Sequence, residues 1–255
     1  MIQMMNLSYK YPNFKLEDIN LEISSGEIVA ITGNNGSGKT TLLRLISGLL
    51  KPKKGQILID EKPLKKCDKK IGVVFQNPDN QIIFNSVEDD IFFTLKNYKI
   101  PKEEWEERIL EALSLVNMLP FRKSETFSLS SGQKQRIVIA NMLAIRPNIL
   151  LLDEATAYLD PPTKKLIYSL LLELKQKGVT IIFTTNQLEE ICIADKVLIM
   201  ENGKIKKIDE RKNIIANLDI FENMYVPLKL KILNYLNSEK MFDDEIFDEL
   251  KERLK

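Results

Sequence analysis

Short runs of consecutive apolar residues recur along the chain: 28–32 (IVAIT), 57–59, 71–75 (IGVVF), 149–152 (ILLL) and 180–185 (TIIFTT). Apolar side chains at successive rather than alternate positions predict strands buried on both faces, as in a parallel sheet. Helical patterns lie between several of these runs. The N-terminal stretch reads differently. Residues 4–9 and 18–23 mix apolar and polar positions, and Tyr11-Pro12-Asn13 supplies a turn between two predicted strands. Residues 197–200 and 204–208 flank Asn202-Gly203, which predicts a hairpin.

Between about 77 and 146 the pattern turns helical. Pro101 opens a segment with Glu103 and Glu104 in its first turn, and Trp105, Ile109, Ala112 and Val116 then recur at helical spacing. A further helix is predicted from Gln133 to Arg146, where Pro147 stops it, so an inserted helical subdomain is expected here. Beyond about 210 the chain becomes charged and amphipathic. Phe242, Ile246, Leu250 and Leu254 step by four along one helix face. That face either docks on its own domain or meets a partner; periodicity fits both.

Composition narrows the class. The 255 residues suit one large or two small domains. Lys and Arg total 37 against 36 Asp and Glu, which argues against a basic nucleic-acid binder. The two cysteines, Cys67 and Cys192, form no disulfide framework or zinc pattern, as expected in a reducing cytosol. No apolar run approaches the ~18 residues of a membrane span, and the N-terminus lacks a secretory apolar core. The chain contains no histidine, which removes histidine-based triads and histidine metal sites.

Residues 33–40 read GNNGSGKT, after an apolar strand and before a helical pattern over 41–50. This spacing suits a phosphate-binding loop. Gly33, Gly36 and Gly38 let backbone N–H groups turn inward, Lys39 reaches the β and γ phosphates, and the Thr40 hydroxyl serves Mg²⁺. Asn34, Asn35, Ser37 and Thr41 complete the predicted nucleotide-contacting set. The run 149–152 leads into Asp153 and Glu154. Beside a phosphate loop, a carboxylate at a strand end suits Mg²⁺, and the next one can polarise an attacking water. The bland alternative is a pair capping the following helix. Ser130, Ser131, Gly132 and Gln133 form a Ser/Gly turn at a helix N-terminus, a second anion site. One chain's phosphates need one cradle, so this turn makes sense over the nucleotide of a second subunit.

Over about residues 1–210 the sequence resembles the nucleotide-binding subunits of ATP-binding-cassette transporters. GNNGSGKT resembles their Walker A loop, Gln76 their Q-loop glutamine and LSSGQ (129–133) their signature. ILLLDE is similar to Walker B plus the catalytic glutamate, Ala157-Tyr158-Leu159-Asp160 to the D-loop, and Tyr11 to the aromatic that stacks on adenine. VVFQNPDNQIIF (73–84), VEDDIFF from Val87 and PLKLKILNYL from Pro227 resemble, more narrowly, the ATPases of energy-coupling-factor transporters, which take up vitamins or transition metal ions.

The resemblance implies an α/β P-loop NTPase with a RecA-like, mainly parallel sheet, an N-terminal antiparallel β subdomain and an inserted helical subdomain. Residues 1–210 would form the ATPase domain and 211–255 a C-terminal extension, with dimerisation one role open to it. ATP and Mg²⁺ are the implied ligands, with Thr40, Gln76 and Asp153 at the metal and Glu154, Gln76 and Asn186 in catalysis. The implied assembly is a head-to-tail pair of ATPase subunits with a transmembrane coupling subunit and a substrate-binding membrane subunit, no nucleic acid, at the cytoplasmic face of the membrane. Asp79, Glu88, Asp89 and Asp90 suggest either a negative docking face for that membrane partner or a solvated helix start.

One departure matters. The family carries a switch histidine after the last core strand; here that place is Asn186. Asn donates a hydrogen bond but takes up no proton. Loss of one positioning bond costs about 0.5–1.5 kcal/mol, whereas loss of an acid or base costs on the order of 10²–10⁴-fold. A weak site on this subunit's own loop, paired with a stronger site in a heterodimer, is therefore expected. The alternatives are an ATP-gated dimerisation partner that leaves hydrolysis to the other subunit, and the ATPase of another importer class. A cassette acting on DNA or ribosomes fits neither the charge nor the single cassette. Ser131, where the signature usually has glycine, is a milder departure.

Overall fold

The computed structural model describes residues 1–65, 68, 70–221 and 224–238. They form two units: Met1–Ile46, Leu50–Leu64 and the chain from Thr184 onward make the first, Ser47–Leu49 and Lys65–Phe183 the second.

The first unit opens with β1 (Ile2–Tyr11) and β2 (Phe14–Ile23), antiparallel from Ile2↔Ile23 to Tyr11↔Phe14. The mixed polarity of these strands has a local cause. Asn6 and Asp18 both take left-handed backbone (φ +48), and the register shifts around them, as β-bulges require. Asn20 Oδ1 accepts the Asn6 N–H at 2.8 Å and Ser8 Oγ accepts that of Asp18 at 3.2 Å. On the other side of β1 lies β4 (Lys54–Ile59), followed by β5 (Lys62–Pro63). This corrects the reading of 57–59. The run pairs antiparallel with β1, Ile57 and Ile59 are buried while Leu58 is half-buried, and the strand alternates in and out. Three residues are too few for periodicity to tell the two kinds of strand apart.

Strand β3 (Ile28–Thr32) is buried throughout and runs parallel to β9 (Lys196–Glu201), Val29 opposite Lys196. Strand β10 (Lys204–Glu210) returns antiparallel to β9 across the Asn202-Gly203 turn. Helix α1 (Lys39–Ile46) stops short of the predicted Leu50, whose N–H instead reaches back to Arg44 O at 3.0 Å. Helices α6 (Arg211–Ala216) and α7 (Leu228–Ser238) pack together through residues that include buried Ile214, Ile215, Leu230 and Leu233. The predicted stripe of Phe242, Ile246, Leu250 and Leu254 lies outside the described residues.

In the second unit β6 (Ile71–Val74) runs parallel to β7 (Ile149–Asp153), with Ile71 opposite Ile149. Between them come α2 (Val87–Asn97), α3 (Trp105–Leu115) and α4 (Ser131–Ala144), packed on one another. Ile109, Ala112 and Val116 face inward as their spacing predicts. Helix α4 is buried from Ile137 to Ala144, and left-handed Arg146 (φ +51) ends it before Pro147. Helix α5 (Pro161–Gln176) buries Ile167, Leu170, Leu171 and Leu174, one face at 3.6-residue period. Strand β8 (Thr180–Thr184) begins beside β7, with the Thr180 N–H donating to Asn148 O at 2.9 Å. Its last residue belongs to the first unit, where the Thr185 N–H donates to Ile31 O at 2.9 Å. Among the described residues no helix is long and apolar enough to cross a membrane.

Candidate functional site

In the first unit β3 ends at Thr32 and the chain turns through 33–38 into α1. Gly33 must be glycine for space as well as conformation: at φ +142, a Cβ there would sit 2.1 Å from Met200 O. The loop closes on itself through the Ser37 N–H to Asn34 O at 3.1 Å, and the Leu42 N–H donates to Gly38 O at 2.8 Å. Lys39 is buried, and its ammonium donates to Gly33 O at 2.8 Å and Asn34 O at 3.2 Å, which hold it across the loop. Asn34, Asn35 and Gly36 are exposed; Thr40 and Thr41 are half-buried. No acidic side chain occupies the first turn of α1, so its positive end is uncompensated within the helix.

Phosphate suits this loop. Ser37 Oγ is buried with no hydrogen-bond partner among the described residues, a costly state that an anionic oxygen relieves. Tyr11, at the end of β1, rests edge-on against Tyr9 with ring centroids 5.0 Å apart. It lines an open groove of about 660 Å³ with Lys10, Asp18, Lys53 and Lys54. Asn186 is exposed just beyond Thr185, whose hydroxyl accepts the Gln187 N–H at 2.9 Å and fixes the turn.

In the second unit Asp153 is the buried last residue of β7, and Glu154 follows with left-handed backbone (φ +47). Such a conformation is uncommon outside glycine and turns Glu154 out of the strand alternation. Gln76 Nε2 donates to Glu154 Oε2 at 2.8 Å, so the fold brings together two of the predicted residues. The helix-capping alternative fails: α5 starts at Pro161, and Asp160 caps it by accepting the Thr163 N–H. Hydrogen bonding from Thr163 holds the Asp160 carboxyl below its ordinary value.

Ser130 and Gln133 form a reciprocal cap on α4. Ser130 Oγ accepts the Gln133 N–H at 3.3 Å, and Gln133 Oε1 accepts the Ser130 N–H at 2.8 Å. Ser131, the first helical residue, is exposed. A Cβ on Gly132 would meet Tyr158 O at an ordinary 3.5 Å, so packing within this chain does not demand glycine there.

The four acidic residues around the start of α2 differ in their surroundings. Asp79 pairs with Lys134 at 2.7 Å, and Glu88 pairs with Arg122, which also holds Glu106. Asp90 is buried. Its Oδ1 accepts the N–H groups of Ile83 at 2.8 Å and Phe84 at 3.0 Å, and its Oδ2 takes the Asn141 amide. Asp79 and Asp89 are exposed and Glu88 is half-buried, so the four do not form one solvated face. Beside these polar groups the loop also presents apolar surface: Ile83 is 65% exposed and Phe84 38%. Sequence reasoning also passed over Met200 and Gly203 as supports of the phosphate loop; the Asn-Gly signal marks their turn but not what it touches.

A family model described as ABC transporter matches residues 16–157. The energy-coupling factor transporter ATP-binding protein EcfA1 of Streptococcus thermophilus (strain CNRZ 1066) is 37% identical over 100% of this chain and 99% of its own length. That of Ligilactobacillus salivarius (strain UCC118) is 45% identical over 95% and 94%. Among solved structures, cbiO1 from Clostridium perfringens, part of the ABC transporter complex cbiONQ, superposes with a TM-score of 0.77 at 35% identity over 92% of this chain and 98% of its own. The dimeric cassette MJ0796 bound to ADP and Pi gives 0.74 at 30% over 83% and 99%. The chain therefore belongs to the ABC transporter family and, within it, to the ATP-binding, ATP-hydrolysing subunits of energy-coupling factor transporters.

Proposed function

We propose that this ATPase works as the slower half of an asymmetric pair, driving uptake of a vitamin or transition metal ion through membrane subunits. Residues 33–41 cradle the ATP phosphates, Lys39 meets the β and γ phosphates, and Tyr11 stacks on the adenine. Thr40, Gln76 and Asp153 would hold Mg²⁺, which neutralises charge on the β and γ oxygens when bound. Glu154 orients the attacking water and takes its proton as the γ-phosphoryl leaves ADP. The hydrogen bond from Gln76 supports this role by fixing the carboxylate through Oε2.

Asn186 carries the asymmetry. It donates to a γ-phosphate oxygen but accepts no proton there, and with no histidine anywhere in the chain nothing replaces the lost group. The Ser130–Ser131–Gly132 turn, presented at the start of α4, would close over the partner's nucleotide and serve the stronger site. The reciprocal cap supports this by fixing that helix start before any partner arrives. Exposed Ile83 and Phe84, close in sequence to Gln76, support docking of an apolar segment of a transmembrane subunit at the cytoplasmic membrane face.

The test compares ATP turnover of the purified chain alone, of its Asn186→His variant, and of each mixed with the second ATPase. Slow turnover alone and a gain of about tenfold or more in the variant are expected if the histidine acts in proton transfer. An ordinary transporter rate from the unmixed chain, with no gain in the variant, overturns the asymmetry. Single-turnover hydrolysis by Glu154→Gln in the mixed pair then assigns the residual activity: an undiminished rate would mean that this chain only binds ATP.

A further inference from the structure

We infer that Gly203 is a positioning residue for ATP, its peptide group bracketing the phosphate loop against the strand that leads from the base-side aromatic loop. The inference rests on assigning residues 33–41 to the phosphates and Tyr11 to the base.

A two-residue hairpin turn needs left-handed backbone, and Asn202 (φ +49) and Gly203 (φ +77) supply it. The turn by itself does not explain where its polar groups go. The Gly203 N–H donates to Ser37 O at 3.0 Å, inside the phosphate loop. The Gly203 carbonyl accepts the Glu17 N–H at 3.0 Å, on β2. One residue thus bridges two segments remote from it in sequence. The fit leaves no room for a side chain, because a Cβ on Gly203 would lie 1.8 Å from Lys15 O and 2.9 Å from its carbonyl carbon.

The same hairpin and strand also floor both ends of the loop. Met200 O lies where a Gly33 side chain would begin. The Phe14 ring and the Met200 methyl lie 2.8 and 3.2 Å from where the Cβ of Gly38 would be. Phe14 is the register partner of Tyr11. The base-side loop and the phosphate loop are therefore tied by backbone bonds and direct packing, with Gly203 as the tie that admits no substitution. A ligand that spans both subsites feels any change in their separation, because it cannot keep both sets of contacts at once. A ligand that touches one subsite does not.

The experiment measures calorimetric affinities of the full chain and its Gly203→Ala variant for ATP and for inorganic tripolyphosphate, which engages the phosphate loop alone. ATP affinity is expected to fall about tenfold or more, and tripolyphosphate affinity less than about threefold. Unchanged ATP affinity, or equal losses for both ligands in a variant of native thermal stability, overturns the inference. Gly178→Ala controls for left-handed strain alone, because Gly178 has φ +87 and no atom within 4 Å of its would-be Cβ; neither affinity should change. Should Gly203→Ala fail to fold, amide exchange of the native chain decides. ATP should slow exchange at both Gly203 and Glu17, and tripolyphosphate at Gly203 only; parallel slowing by both ligands overturns the bracket. Lys39→Ala tests the underlying assignment separately: retained tripolyphosphate affinity there would show that the phosphates bind elsewhere.

Discussion

Gly33 and Gly36 sit three residues apart in the same loop and are glycine for different reasons. At Gly33 a methyl would have to displace the Met200 carbonyl, part of the hairpin bed. At Gly36 (φ +78) nothing lies within 4 Å, and only the backbone conformation resists a side chain. A left-handed alanine costs roughly 1–2 kcal/mol. Gly36→Ala should therefore weaken ATP binding mildly, and Gly33→Ala by about tenfold or more as the loop shifts off its bed. Titration calorimetry with ATP ranks the two, and the reverse order would sink the account of the loop. At this scale the glycine-rich turn itself was legible, because glycine spacing is a local requirement of left-handed backbone between a strand and a helix. The Gln76–Glu154 bond was not legible as a contact, since it joins residues from the ends of two different strands.

The start of α2 shows what an element hides. Glu88, Asp89 and Asp90 look alike in sequence, each suited to a helix N-terminus. The helix turns Asp90 inward, where it takes two backbone N–H groups of the 77–86 loop and the Asn141 amide of α4. Asp90→Ala leaves the buried Asn141 amide without this acceptor, at about 1–3 kcal/mol, and frees two part-buried backbone donors at a smaller cost. A loss of roughly 3 kcal/mol in urea denaturation is expected, against less than about 0.5 for Asp89→Ala at the exposed neighbour. Equal small losses would contradict the buried assignment. Ser130→Ala removes half of the α4 cap and should cost about 1 kcal/mol. That cost needs no nucleotide, which separates the structural share of this serine from any share in binding ATP.

Across the whole molecule, the absence of histidine shapes the response to pH. Several carboxylates lie below their ordinary values. Burial, the largest single influence, works to raise Glu27, but the hydrogen bond and charge of Lys196 together with hydrogen bonds from Ser24 outweigh it, and Arg122 and Arg146 hold Glu106 and Glu107 down. A carboxylate lowered in the folded state stabilises fully above its unfolded value, and that stability drains away as pH falls through the folded value. For these glutamates the unfolded value is 4.5. Thermal stability should therefore stay flat from about pH 5.5 to 7.5, where histidine would ordinarily titrate, and decline below about 4.5. Glu27→Gln should shallow that decline; a step near pH 6.5 would be incompatible with it.

The sequence by itself determined the glycine-rich turn between β3 and α1, the buried strands β3, β7 and β8, the helices between β6 and β7, the hairpin and the lack of histidine. Each depends on neighbours within one turn or one strand, where period, glycine placement and residue chemistry act. Only the tertiary structure decided that 57–59 joins an antiparallel sheet, that Asp90 faces inward, that Gln76 holds Glu154, and that Gly203 ties the phosphate loop to β2. These depend on which distant segments meet, and burial and backbone hydrogen bonding select those partners only once the chain has collapsed around its core.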